Sequence, residues 1–166
     1  YHINYIAKKV IEQKGDRVYT FSRERIKWHQ EQGHIVIAIS GSPNALVREM
    51  SKKYNMDDYK GTIYKLDGNN KYSGEVIPMW DHESKLSAIK EFEKKYNIDL
   101  SKSYAYGDTS GDITMFKSVG IPYAINPTKE LLDKVMKNEE IKNKIKVIVE
   151  RKDVTYSLDV NCINLL

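Results

Sequence analysis

The sequence predicts an α/β fold built on a parallel sheet, and three observations predict it. Strand-like and helix-like segments alternate through most of the chain. The first clear strand, His34 to Ser40 (HIVIAIS), is a continuous β-branched run of the kind buried on both faces of a parallel sheet. A second short strand, Ser103 to Tyr106, leads directly into the acidic loop Gly107-Asp108-Thr109-Ser110-Gly111-Asp112. Open α/β sheets bind their ligands at such strand ends.

The individual elements follow from local chemistry. Residues 1–14 place Ile3, Ile6, Ala7, Val10 and Ile11 on one helical face, and Gly15-Asp16 stops the helix. Ser22 is positioned to cap a second helix running to Gln32, with Gly33 at its C′ position. After the strand, Ser40-Gly41-Ser42-Pro43 predicts an N-cap at Ser42 and a first helical residue at Pro43. That helix continues to about Tyr54 and buries Leu46, Val47 and Met50. Gly61 to Ile77 reads as a β-hairpin, because alternating segments flank the turn Asp67-Gly68-Asn69-Asn70. A helix is predicted over His82 to Tyr96, and another from the acidic loop to Ser118. Pro122 to Ile125 forms a short strand, Lys129 to Lys137 a helix, and Lys146 to Glu150 a last strand. The tail from Arg151 carries little signal.

Composition narrows the class. The 166 residues are 40% hydrophobic and 30% charged, with a net charge of +4. That length fits one domain with a small appendage. The lysines are spread along amphipathic helices, so there is no concentrated basic face for nucleic acid. No apolar run reaches the length of a membrane helix. The single cysteine, Cys162, excludes an internal disulfide, is expected as a buried or semi-buried apolar residue and fits a reducing cytoplasm.

Three local patterns carry chemistry. Ser40-Gly41-Ser42 combines a strand-end hydroxyl, a glycine and a helix N-terminus, whose free N–H groups and dipole favour an anion. Lys85 lies in the first turn of a helix, where a cation opposes the dipole; pairing with Glu83 or Asp81 relieves this, and so does a nearby anion. Asp108 and Asp112 bring two carboxylates close together, and Mg²⁺, a hard cation that prefers oxygen, relieves their repulsion. Asp112 also stands where a helix N-cap is expected.

In chain order, these patterns resemble the haloacid dehalogenase-like (HAD) hydrolase superfamily, and within it the phosphoserine-phosphatase-like branch. Val36 to Ser40 matches the strand ending in a hydroxyl residue, Lys85 the single basic motif, and Gly107-Asp108 with Asp112 the acidic motif. Trp28-His29, Gln32-Gly33-His34 and Ala124-Ile125-Asn126-Pro127 also fit the branch. The resemblance covers roughly residues 21–134. It implies a Rossmann-like core over residues 21–166, the end of a helical cap over residues 1–20, and the hairpin as an insertion.

The function implied is Mg²⁺-dependent hydrolysis of a small phosphomonoester in the cytoplasm, through an aspartyl-phosphate intermediate. Ser40 and Lys85 become catalytic residues holding phosphoryl oxygens, with Gly41 and Ser42 completing the phosphate site. Asp108 and Asp112 supply the metal side. The partners implied are a small phosphorylated metabolite, with neither nucleic acid nor membrane.

One family motif is missing. The strand ending in DxDx(T/S), which carries the nucleophile, occurs nowhere in the sequence. By resemblance it lies between the strands ending at Ser40 and Tyr106. The chain is therefore expected to be an incomplete, inactive portion of a phosphatase. The alternative is a non-catalytic module that binds phosphate and Mg²⁺. Receiver-like domains combine similar residues, but their acids precede the hydroxyl, the reverse of the order here.

Overall fold

The computed structural model describes residues 2–165. They form two compact units, one ending at Ser84 and one beginning at Lys85.

The first unit opens with α1 (His2–Lys14) and α2 (Thr20–Glu31), followed by β1 (Ile37–Pro43), α3 (Asn44–Lys53), β2 (Asp58–Leu66) and β3 (Tyr72–Ile77). The sheet order is β1-β2-β3. β1 and β2 pair in parallel, and β2 turns back antiparallel into β3. The hairpin turn forms as the sequence predicts, with the Asp67 carboxylate accepting the Asn69 and Lys71 N–H groups. However, β2 is not wholly an insertion, because its first half belongs to the parallel sheet.

Two predicted caps are corrected. α2 starts at Thr20, so Ser22 lies inside it and the N-cap position falls on Tyr19, which makes no side-chain cap. Gly33 does adopt the left-handed backbone, at φ 72°, that ends this helix. β1 runs through Ser42 and Pro43, so Ser42 caps nothing and α3 starts at Asn44. The reason lies in the partner strand. The parallel register advances by two extra residues on β1 between Ile39 and Pro43, and Thr62 of β2 holds that irregularity. The buried Thr62 hydroxyl donates to the Gly41 carbonyl at 2.8 Å. β1 is half-buried along its length rather than fully buried.

The second unit contains most of α4 (His82–Tyr96), then β4 (Tyr104–Gly107), α5 (Ile113–Ser118), β5 (Ile121–Ile125), α6 (Lys129–Met136), α7 (Glu139–Lys142), β6 (Lys146–Glu150) and β7 (Thr155–Leu158). The sheet order is β4-β5-β6-β7, parallel across the first three strands and antiparallel at the last pair. α7 and β7 carry no strong sequence pattern. All four residues of β7 are exposed, and backbone pairing with β6 defines the strand. Cys162 is exposed, contrary to expectation, because it sits in a short 3-10 turn after β7 that buries Val160 instead.

One face of this sheet forms the core. Ala105, Ala124 and Val147 point to the same side and pack with Phe116, Leu131, Val135 and Ile141. The strand-end loop Gly107–Asp112 is anchored at the edge of this close-packed layer. Hydrogen bonding thus divides the strands into two sheets rather than one, and β1 and β4 are each the end strand of their own sheet.

His29 gives the first unit a pH-sensitive point. It is buried, and its Nδ1 lies 2.9 Å from His34 Nδ1. Burial, then the positive charge of Arg25, then His34, push its pKa down from 6.5 to about 4. The folded state therefore binds fewer protons than the unfolded state between those values. The associated stability is present above pH 6.5 and is lost as pH falls toward 4. Between pH 7 and pH 5 the loss should be on the order of 1–2 kcal/mol. Urea denaturation at both pH values tests this. His29→Gln should show a clearly smaller pH dependence than the wild type, and equal dependence would contradict the assignment.

Candidate functional site

The acidic loop is built by close approach. Thr109 has extended backbone and precedes a 3-10 turn, Ser110–Asp112, that leads into α5. Thr109 and Asp112 form a reciprocal capping box. Asp112 Oδ2 accepts the backbone N–H groups of Asp108 and Thr109, both at 3.1 Å. The sequence predicts Asp112 as a helix cap or a metal acid. Its carboxylate in fact folds back over the loop.

That fold-back explains Gly107. A Cβ at this position would lie 2.6 Å from Asp112 Cγ, well inside contact distance. Only a residue without a side chain lets the Asp112 carboxylate seat against the end of β4.

The other Asp112 oxygen meets Lys85. Lys85 Nζ donates to Asp112 Oδ1 at 2.5 Å, and both residues are buried. The lysine in the first turn of α4 thus neither floats in solvent nor pairs with Glu83. It is drawn 27 residues along the chain to the acidic loop. A short charge-assisted bond compensates two desolvated charges, and the loop amides satisfy the remaining carboxylate oxygen.

Asp108 differs. It is exposed, and among the described residues no side chain donates a hydrogen bond to it. Crowding by protein atoms, then the neighbouring Asp112 carboxylate, hold its carboxyl above the ordinary carboxylate range. Its own backbone N–H and Lys85 partly offset this. One acid of the loop is therefore fully engaged and the other presents its oxygens outward. Among the described residues no group of three or more metal-ligating side chains occurs.

In the first unit, Ser40, Gly41 and Ser42 occupy the irregular stretch of β1. Ser40 Oγ accepts the Ser42 N–H at 3.2 Å, so one predicted anion-binding donor is already engaged locally. Gly41 packs against Trp80, whose Cβ would lie 3.0 Å from an added side chain. Lys85, Asp108 and Asp112 thus form one cluster within the second unit, and Ser40 to Ser42 belong to the first unit. Sequence reasoning missed Thr62, which fixes the Gly41 carbonyl and receives the Met79 N–H. A lone threonine in a hairpin strand gives no warning of that role.

The family model described as haloacid dehalogenase-like hydrolase matches residues 3–117. The chain belongs to that family. It is 30% identical over 114 residues to the inhibition of morphological differentiation protein of Streptomyces azureus, covering 69% of this chain and 41% of that one. It is 25% identical over 119 residues to phosphoserine phosphatase SerB1 of Mycobacterium tuberculosis, covering 70% of this chain and 38% of that one. The chain thus spans about two-fifths of the length of these relatives. Among solved structures, a phospho-aspartyl intermediate analogue of phosphoserine phosphatase shares the fold. Its TM-score is 0.64 at 23% identity, with 88% of this chain and 66% of that chain covered.

Gly107→Ala tests how the loop is built. The added methyl must displace the Asp112 carboxylate, and such overpacking should destabilise the chain by about 1–3 kcal/mol. Urea denaturation reads this out, and a change within about 0.5 kcal/mol, as at an ordinary surface site, would contradict the close approach.

Proposed function

We propose that this chain is part of a phosphatase that hydrolyses a small phosphomonoester with the help of Mg²⁺. The observation that carries the reading is the Lys85–Asp112 pair set beside the outward-facing Asp108. Mg²⁺ is commonly held by one or two carboxylates, with water and substrate phosphate completing its octahedron. A single outward carboxylate fits that mode of binding. Asp108 would hold the cation, with Asp112 behind it supporting the acidic cluster. When bound, Mg²⁺ would neutralise charge developing on the phosphoryl oxygens.

The chain's own residues would do the positioning. Lys85 carries three donors, and Asp112 takes one. The others are available for phosphoryl oxygen, and the buried ion pair fixes the direction of the ammonium group. Ser40, with the Gly41 and Ser42 backbone, would supply neutral donors to the same class of oxygen. Fixed donors of this kind stabilise a spreading negative charge without reorganising during the reaction.

The reaction class needs a nucleophile, and in this family reading that is an aspartate in a DxDx(T/S) strand, which forms a phospho-aspartyl intermediate. No such pattern exists among the 166 residues. This polypeptide alone should therefore bind but not turn over. A second reading is a phosphate- and Mg²⁺-binding module without catalysis, which absence of the DxDx(T/S) pattern from the complete reading frame would favour. Cytoplasmic placement belongs with the phosphatase reading. Among the described residues no helix is long and apolar enough to cross a membrane.

Two measurements test the proposal. Phosphate release from a panel of phosphomonoesters should stay at background with the 166-residue chain and Mg²⁺. Turnover above background would contradict the assigned lack of a nucleophile. Mn²⁺, used as a paramagnetic stand-in, should broaden the amide signals of the Asp108 loop. Asp108→Asn should weaken that effect at least tenfold. Unchanged broadening would refute the metal role of Asp108.

A further inference from the structure

The segment Ala124-Ile125-Asn126-Pro127 follows the acidic loop in sequence and has no part in the reading above. Its geometry connects it to that loop. Asn126 has φ 44°, in the left-handed region that few residues other than glycine tolerate, although asparagine enters it more readily than most. Such an outlier persists only where its surroundings hold it.

Two bonds to one strand hold it here. The Asn126 N–H donates to the Ile148 carbonyl at 2.8 Å, and Asn126 Oδ1 accepts the Glu150 N–H at 2.9 Å. The residue thus spans the end of β5 and grips β6 on both its main chain and its side chain. This fixes the direction in which the chain leaves the sheet. Pro127 then restricts the backbone further, and Thr128 arrives at a defined place.

Thr128 has two tasks. Its hydroxyl accepts the Leu131 N–H and caps α6. Its own N–H donates to the Asp108 carbonyl at 2.9 Å. Glu130, in the first turn of α6, has its carboxyl held below the ordinary range by Lys134 first and then by Ser110 of the same loop. The acidic loop is therefore tied from two directions. Asp112 pins its N–H groups from inside, and the turn after β5 pins the Asp108 carbonyl from outside.

We infer that the Asn126-Pro127-Thr128 turn is a positioning device for Asp108, with Asn126 as the residue it depends on. Asn126 touches neither cation nor substrate. It acts through Thr128, by setting where the Asp108 backbone, and with it the outward carboxylate, is held. The inference rests on the reading of Asp108 as a cation ligand.

The test separates the two. Amide hydrogen exchange on the metal-free chain is read at Thr128, with Val147 of β6 as a core reference. Asn126→Gly keeps access to positive φ and loses the grip on Glu150, whereas Asn126→Asp keeps an acceptor oxygen. Asn126→Gly should accelerate exchange at Thr128 roughly tenfold and leave Val147 unchanged, while Asn126→Asp stays near wild type. Mn²⁺ broadening at Asp108 should then weaken roughly tenfold in Asn126→Gly. Unchanged exchange at Thr128 overturns the inference. So does equal acceleration at Thr128 and Val147, which would mark a purely structural role. Loosened exchange with unaltered Mn²⁺ affinity also overturns it and leaves the reading of Asp108 standing. If the wild-type chain shows no Mn²⁺ effect, that reading falls and takes the positioning role with it.

Discussion

The ion pair between Lys85 and Asp112 is the constraint around which the site is arranged. Two opposite charges lie buried and in contact, drawn from a helix start and a loop far apart in sequence. Removing either partner alone would leave an uncompensated charge in the interior, which costs about 3–5 kcal/mol. The neighbouring choices follow from this pair. Gly107 leaves room for the carboxylate. The N–H groups of Asp108 and Thr109 satisfy its second oxygen. The 3-10 turn before α5 delivers Asp112 to that place.

The pair also divides labour between the two acids. Asp112 is committed to the protein, so its role in the acidic cluster is indirect. Asp108 is left outward with a carboxyl that crowding and a like charge hold above the usual range. A cation beside it would relieve both effects, which is the physical support for the metal role proposed for it. The match to the haloacid dehalogenase-like hydrolase family covers residues 3–117 and so includes the acidic loop.

Much of this was legible in the sequence, for identifiable reasons. The helix His82–Tyr96 matches residue for residue, because its apolar spacing and flanking polar residues agree. The hairpin was readable from its turn chemistry alone. The β1 boundary was not, because Ser-Gly-Ser-Pro has the composition of a cap, while the Thr62 hydroxyl and the parallel register keep those residues in the strand. The residues of the acidic cluster were identifiable by type and order, but not their division of roles. Sequence shows that Lys85 stands at a helix start and Asp112 at a loop end; only folding shows that they meet. The contacts of Thr62 and Asn126 were not legible, since each bonds backbone groups far along the chain.

The central claim, that the Lys85–Asp112 pair organises the acidic loop, is tested most directly by a double-mutant cycle on stability. Lys85→Met, Asp112→Leu and the double variant are compared with wild type by urea denaturation. Each single variant should lose about 3–5 kcal/mol, and the double variant should recover much of that loss, giving a coupling of about 2 kcal/mol or more. Losses that simply add, with coupling within about 0.5 kcal/mol, would contradict the account.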